Sequence, residues 1–190
     1  DSLEYRELSC RVKESFNNKF WNEEKNCLYD VVDKNDDKIR PNQIWAVSLP
    51  FSILDIEKEK KIVNTVYKHL YATYGLRSLS FMDKDYKKKY IGKLIDRDCA
   101  YHMGTTWAFL IGGFITAYCK VNDYSKEAIE KANHMCKVFE DTMKDGCING
   151  IAEIFDGDFA STGRGCYSQA WSVGEVLRAY SQDVLPYLNK

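Results

Sequence analysis

Three features of the sequence predict an all-α domain made of stacked helical hairpins, with long polar loops collected at one end. Apolar residues recur at helical spacing in several segments. Segments that are apolar nearly all round alternate with amphipathic ones, which is the pattern of an inner helix followed by an outer one. Finally, each long polar stretch runs into an apolar helix, so parallel inner helices would bring the loops to a common end. Six helices, paired in this way, make three hairpins.

The elements follow in order. Leu8, Val12, Phe16 and Phe20 recur every four residues and mark a first helix. The chain opens at Asp1 close to this pattern, so we expect it to be part of a longer protein. Residues 22–40 are polar with hairpin character. A second helix is expected over 43–54, where Pro50 lacks an N–H and crowds the preceding turn, and so should kink or split it. Ile56, Val63, Val66, Tyr67, Leu70 and Tyr71 mark a third helix, ended by Gly75, with the charged run at 57–61 as its solvated face. Residues 77–101 form a long polar loop with little periodicity, of the kind that usually carries function. Trp107, Leu110, Ile111, Phe114, Ile115 and Tyr118 make 104–121 a helix buried on both sides. Its amphipathic partner starts at Ser125, runs through Ile129, Met135 and Phe139, and leaves by Asp145 and Gly146. An irregular stretch over 147–165 then feeds a last apolar helix at 167–183.

Composition bounds the function classes. The 190 residues suffice for one domain, and a net charge of −1 supplies no electrostatic case for nucleic acid or an anionic membrane. The most apolar stretch, 107–119, is interrupted by glycines and a threonine and is too short to span a bilayer. Seven scattered cysteines without a C-x-x-C pair read as free thiols of a reducing, cytoplasmic compartment. No ligand spacing suggests a metal or an organic cofactor. Aromatics reach 14%, which fits either sugar-binding platforms or a large aromatic core.

Polar groups crowd three loop-to-helix junctions: Arg40-Pro41-Asn42-Gln43-Ile44-Trp45, Arg97-Asp98-Cys99-Ala100-Tyr101-His102, and Arg164-Gly165-Cys166-Tyr167-Ser168-Gln169-Ala170-Trp171. Convergence of the three would make a polar pocket with aromatic walls. Asp30 and Asp33 either bind hydroxyls or cap a turn. Arg40, Asn42 and Gln43 either cap the following helix or offer a planar guanidinium and two amides to hydroxyls or carboxylates. Asp98 and His102, four residues apart, lie on one face of any helical turn and make either a structural hydrogen bond or a sugar contact. Trp45, Trp107 and Trp171 stand near the starts of the apolar helices, where core packing competes with a role under a sugar ring. His69 and His134 fall on ordinary amphipathic helices and read as structural.

Several motifs then appear together and in order. Asp30-Val31-Val32-Asp33 leads to Arg40-Pro41-Asn42-Gln43-Ile44-Trp45-Ala46-Val47-Ser48-Leu49-Pro50 and then to Tyr74-Gly75-Leu76-Arg77-Ser78-Leu79. Arg97-Asp98-Cys99-Ala100-Tyr101-His102-Met103-Gly104-Thr105-Thr106-Trp107 follows, then Ile151-Ala152-Glu153-Ile154-Phe155-Asp156-Gly157 and Gln169-Ala170-Trp171-Ser172-Val173. Nearly the whole chain thus resembles the C-terminal amylo-α-1,6-glucosidase domain of glycogen debranching enzymes. The resemblance implies about half of an (α/α)6 barrel, residues 1–190 being the C-terminal part of one such domain. It also implies inverting hydrolysis of the α-1,6-linked glucose at glycogen branch points, with glycogen or a related branched α-glucan as partner. Glu153 matches the family's general base. Asp30, Asp33, Arg40, Asn42, Gln43, Asp98, His102, Trp107, Gln169 and Trp171 fall at positions expected to contact sugar. The family's general acid is an aspartate in a Trp-Met-Asp motif on the N-terminal side, and that motif does not occur in these 190 residues. The expectation is therefore half an active site, inactive alone, completed by the N-terminal part of the same enzyme. The chain departs from the family at Met103, where Gln is common, and at Ala108, where Pro is common. Two other classes fit the same residues: another inverting toroid glycosidase, trehalase-like, glucoamylase-like or mannosylglycerate-hydrolase-like, and a non-catalytic glycan-binding domain.

Overall fold

A computed structural model describes residues 2–34, 36–146 and 148–188 of the chain. Helix α1 (Ser2–Phe20) forms where the four-residue spacing places it, yet none of its residues is fully buried. Leu3, Tyr5, Leu8 and Val12 are exposed, and only Phe16 and Phe20, stacked at 4.7 Å, pack on the body. The expected hairpin follows as β1 (Trp21–Asn22) and β2 (Cys27–Leu28). The Asn22 side chain accepts from the Glu24 and Lys25 N–H groups and closes its turn.

A 3₁₀ turn over Val32–Lys34 and another over Pro41–Ile44 lead into α2 (Trp45–Ser48). The helix expected over 43–54 stops at Leu49, in extended conformation, because the ring of Pro50 disfavours a helical residue before it. Helix α3 (Ile56–His69) is capped by Asp55, whose carboxylate accepts from the Lys58 N–H at 2.9 Å. Glu59, Ile62, Val63 and Val66 form its buried stripe. The solvated face expected at 57–61 therefore needs a correction. Glu59 is only 2% exposed, because Lys120 Nζ reaches it at 3.1 Å and neutralises it.

The structure is about 53% helical, as expected, but it also holds two short sheets, so the fold is not purely all-α. Beyond α3 the chain forms β3 (Tyr71–Ala72) and β4 (Gly75–Arg77), α4 (Leu94–Tyr101), β5 (Thr106–Trp107), α5 (Leu110–Val121), α6 (Lys126–Lys137), α7 (Phe139–Thr142), β6 (Ile154–Phe155), β7 (Gly163–Arg164) and α8 (Ala170–Ala179). Strands β3 to β7 pair in sequence order as one antiparallel ladder, with Leu76 opposite Trp107 and Trp107 opposite Ile154. Strands of two or three residues are too short for an alternating pattern to register, so their sequences look like loop. Trp107 belongs to this ladder, and the apolar helix expected over 104–121 begins only at Leu110, six residues later. Helix α4, inside the expected loop 77–101, is masked in the sequence by its exposed face: Leu94 and Ile95 are both open to solvent.

Helix α5 is the centre of the core. Leu110, Ile111, Phe114, Ile115, Ala117 and Cys119 are all buried, and α2, α3, α6 and α8 pack around it. The amphipathic partner expected from Ser125 is α6, followed by the single turn of α7. Helix α8 starts at Ala170 and gives way at Tyr180 to a wider π turn through Val184. No helix of the described residues is long and apolar enough to cross a membrane. The six described cysteines are free thiols, and Cys147 lies outside the described residues.

Candidate functional site

The three polar junctions meet at one end of this core. Arg40, at the start of the first, donates from one guanidinium nitrogen to the Ser78 carbonyl (3.0 Å) and to the His102 carbonyl (2.7 Å), which fastens the first junction to the second. Its other terminal nitrogen meets the Met103 sulfur, a weak acceptor, at 3.3 Å. On its other side Arg40 pairs with Asp30 (3.5 Å), which also accepts from Asn42 Nδ2 at 3.1 Å. The second and third junctions join through aromatic rings. Trp107 packs edge-on against Trp171, with centroids 6.0 Å apart, and Phe109 stacks on Trp171 at 4.3 Å.

Between these groups lies a cavity of about 450 Å³, walled by Asp30, Arg40, Asn42, His102, Trp107 and Trp171, with Asp36, Ser78 and Phe109 completing its rim. It therefore offers a carboxylate, an amide and an imidazole beside indole faces. Such a combination suits a ligand with a polar edge and an apolar face.

Glu153 directly precedes β6, one residue before the Ile154 that pairs with Trp107. Its backbone is held on both sides: its N–H donates to the Cys166 carbonyl (2.9 Å), and its carbonyl accepts from the Ala108 N–H (3.4 Å). Its carboxylate is half-buried and accepts from the Tyr101 hydroxyl on Oε1 and from the Cys166 N–H, at 3.0 Å, on Oε2. Gly165 makes room for that second bond. It sits at φ +65°, and a Cβ there would run into Glu153 Oε2. Burial, and then the Glu153 carboxylate, push the Tyr101 hydroxyl well above the ordinary phenol range, so it remains a proton donor. Glu153 does not line the cavity itself but stands one ring away, since Tyr101 lies edge-on to both His102 (4.9 Å) and Trp107 (4.6 Å).

The other expected contacts divide. Asp30, Arg40, Asn42, His102, Trp107 and Trp171 come together on the cavity wall. Gln43 is buried, and its amide holds backbone instead, accepting from the Leu28 N–H at 3.3 Å and donating to the Arg40 carbonyl at 3.0 Å. Asp33, on the first 3₁₀ turn, and Asp98, on α4, are exposed and stand off the cavity wall. Gln169 is half-buried before α8, and its backbone N–H donates to the Ile151 carbonyl at 2.9 Å. His69, at the end of α3, has its Nδ1 3.2 Å from Ser80 Oγ. Sequence reasoning missed Tyr101 and Phe109 as members of the site. Tyr101 lay in plain view beside His102, and Phe109 would have followed from Trp107 had that segment been read as a strand running into a helix.

Fold and site together define the class: a mainly helical domain carrying an aromatic and carboxylate pocket where loops enter its inner helices. The family profile described as amylo-alpha-1,6-glucosidase matches residues 1–178, and the chain belongs to that family. It is a glycoside hydrolase family of the glycogen-debranching type. No curated protein matches the chain.

Proposed function

We propose that this chain is the base-bearing part of an amylo-α-1,6-glucosidase domain. It contributes the general base Glu153 and one wall of the sugar site to the inverting hydrolysis of the α-1,6-linked glucose at branch points of glycogen or a similar α-glucan. The observation that carries this is the seating of Glu153: a carboxylate fixed by two donors, beside an aromatic pocket, in a chain whose family match spans it. Each carboxylate oxygen has about two acceptor sites. One on each oxygen is taken, which leaves sites for a water. In an inverting reaction Glu153 removes a proton from that water as its oxygen attacks the anomeric carbon. A second carboxylic acid, roughly 6.5–9.5 Å away, gives a proton to the departing oxygen. That acid is expected on the N-terminal side of Asp1, in the same polypeptide, so residues 1–190 alone are expected to release no glucose. Asp30, Asn42 and His102 would hold sugar hydroxyls, while Trp107 and Trp171 would pack on the ring face. Free thiols on the surface at Cys10, Cys99 and Cys166 suit a cytoplasmic setting.

The test is Glu153→Gln in the full-length protein on a branched limit dextrin, with trehalose as the competing substrate. The expected result is loss of glucose release from the dextrin with sugar binding largely retained, because only proton abstraction is removed. Unchanged turnover in the variant refutes the assignment, and wild-type activity on trehalose but not dextrin moves the substrate to another toroid glycosidase.

A further inference from the structure

We propose that Tyr101 is the positioning residue for Glu153: its hydroxyl holds Oε1 while the Cys166 N–H holds Oε2, so the carboxylate points its open lone pairs in one direction. The inference rests on Glu153 being the base. Tyr101 is held in place by contacts that do not involve Glu153. Its carbonyl accepts from Trp107 Nε1 at 3.0 Å, and its ring lies against Trp107, His102 and Tyr90. It comes from α4, 52 residues away in sequence, whereas the Cys166 N–H comes from the turn after β7. Two separate parts of the chain therefore fix the two oxygens, and neither oxygen can swing without breaking a bond. Such preorganisation is what a base needs when it must meet a water at a fixed place. Because the phenol keeps its proton, no proton passes through it: the water's proton ends on Glu153, and Tyr101 only orients.

A hydrogen bond donated to a carboxylate favours its charged form, so the loss of this donor is read in the pH dependence of the reaction. The other titratable and charged groups near the pair are Tyr90, His102, the Cys166 thiol, Arg97 over the Tyr90 ring, and Arg164, which pairs with Asp156 at 3.1 Å. None of them is altered by Tyr101→Phe, which keeps the ring and deletes only the oxygen. In the full-length protein this variant should lower kcat about tenfold, the usual loss for a hydrogen bond to a charged group, with KM for the dextrin nearly unchanged. The acidic limb of kcat/KM should move to higher pH. Substituting 3-fluorotyrosine at position 101, a stronger donor of almost the same shape, should move that limb the opposite way and covers the case in which the phenylalanine variant does not fold. A carboxyl-carbon NMR titration of Glu153 in this chain gives the same readout without turnover. Wild-type kcat and an unmoved acidic limb, or an unmoved Glu153 titration, overturn the inference. If Glu153→Gln stays active, the assignment of Glu153 as the base fails instead, and the titration still decides whether Tyr101 sets the state of Glu153.

Discussion

Gly165 shows how one missing carbon can define a site. At φ +65° it turns the chain out of β7, and the volume a side chain would need is filled by Glu153 Oε2. Gly165→Ala must therefore push the carboxylate away from the Cys166 N–H and also strain the backbone, at a cost of about 1–3 kcal/mol. Activity of the full-length protein should fall by far more than a shift of a few degrees in melting temperature would explain. Measuring both on one preparation separates displacement of the base from general destabilisation. His69 gives a pH prediction. Burial, with Lys68 and Lys25 nearby, holds its pKa below the ordinary 6.5, so the unfolded chain binds the proton more readily than the folded one. Its contribution is fully present above pH 6.5 and is lost as the pH falls from there through the folded value. The urea midpoint should drop over that window, and His69→Gln should flatten the drop. At this scale much of the candidate site was legible, because Asp30, Arg40, Asn42, His102 and both tryptophans stood in motifs next to helix starts. Gln43 was legible as a polar junction residue. Its choice of backbone over solvent was not, because it depends on Leu28, fifteen residues away.

Among the elements, the short ladder is as tightly constrained as the helices. Gly75 sits at φ +150°, and a Cβ there would meet the Trp107 carbonyl of the neighbouring strand. Gly75→Ala should thus open the pairing of β4 with β5, and hydrogen exchange should show lost protection around Leu76 and Trp107 while α3 and α6 keep theirs. Equal protection in all four places would mean that the strand pair tolerates the methyl. Helices α1, α3, α5, α6 and α8 could be found from the sequence because each runs ten residues or more, long enough for the 3.6-residue period to emerge. The strands of the ladder, β3 to β7, could not, since pairing partners and not local pattern create them. Glu59 was misplaced for a related reason: its burial follows from Lys120 arriving from another helix, and nothing in the charged run around it announces that partner.

For the whole molecule, stability should centre on α5. Phe114 is fully buried within its ring of neighbours, and Phe114→Ala should cost about 3–5 kcal/mol through lost transfer energy and the cavity left behind. Thermal unfolding would register this as a fall on the order of ten degrees for a chain of this size. A loss under about 1 kcal/mol would mean that the core relaxes into the space. The helical bulk of the architecture, and the meeting of the polar junctions at one end, were foreseeable from inner and outer helices alternating along the chain. The ladder that fixes the distances at that end was not.

The ladder also bears on the order in which the molecule matures. Its rungs tie together pieces of chain that α4, α5, α6 and α7 separate, and the Tyr101 to Glu153 bond closes a loop of 52 residues. Distant closures form late and slowly compared with contacts inside a helix or between adjacent ones. A newly made chain should therefore become compact well before its carboxylate is clamped, passing through a globule that has its core but not yet its working end.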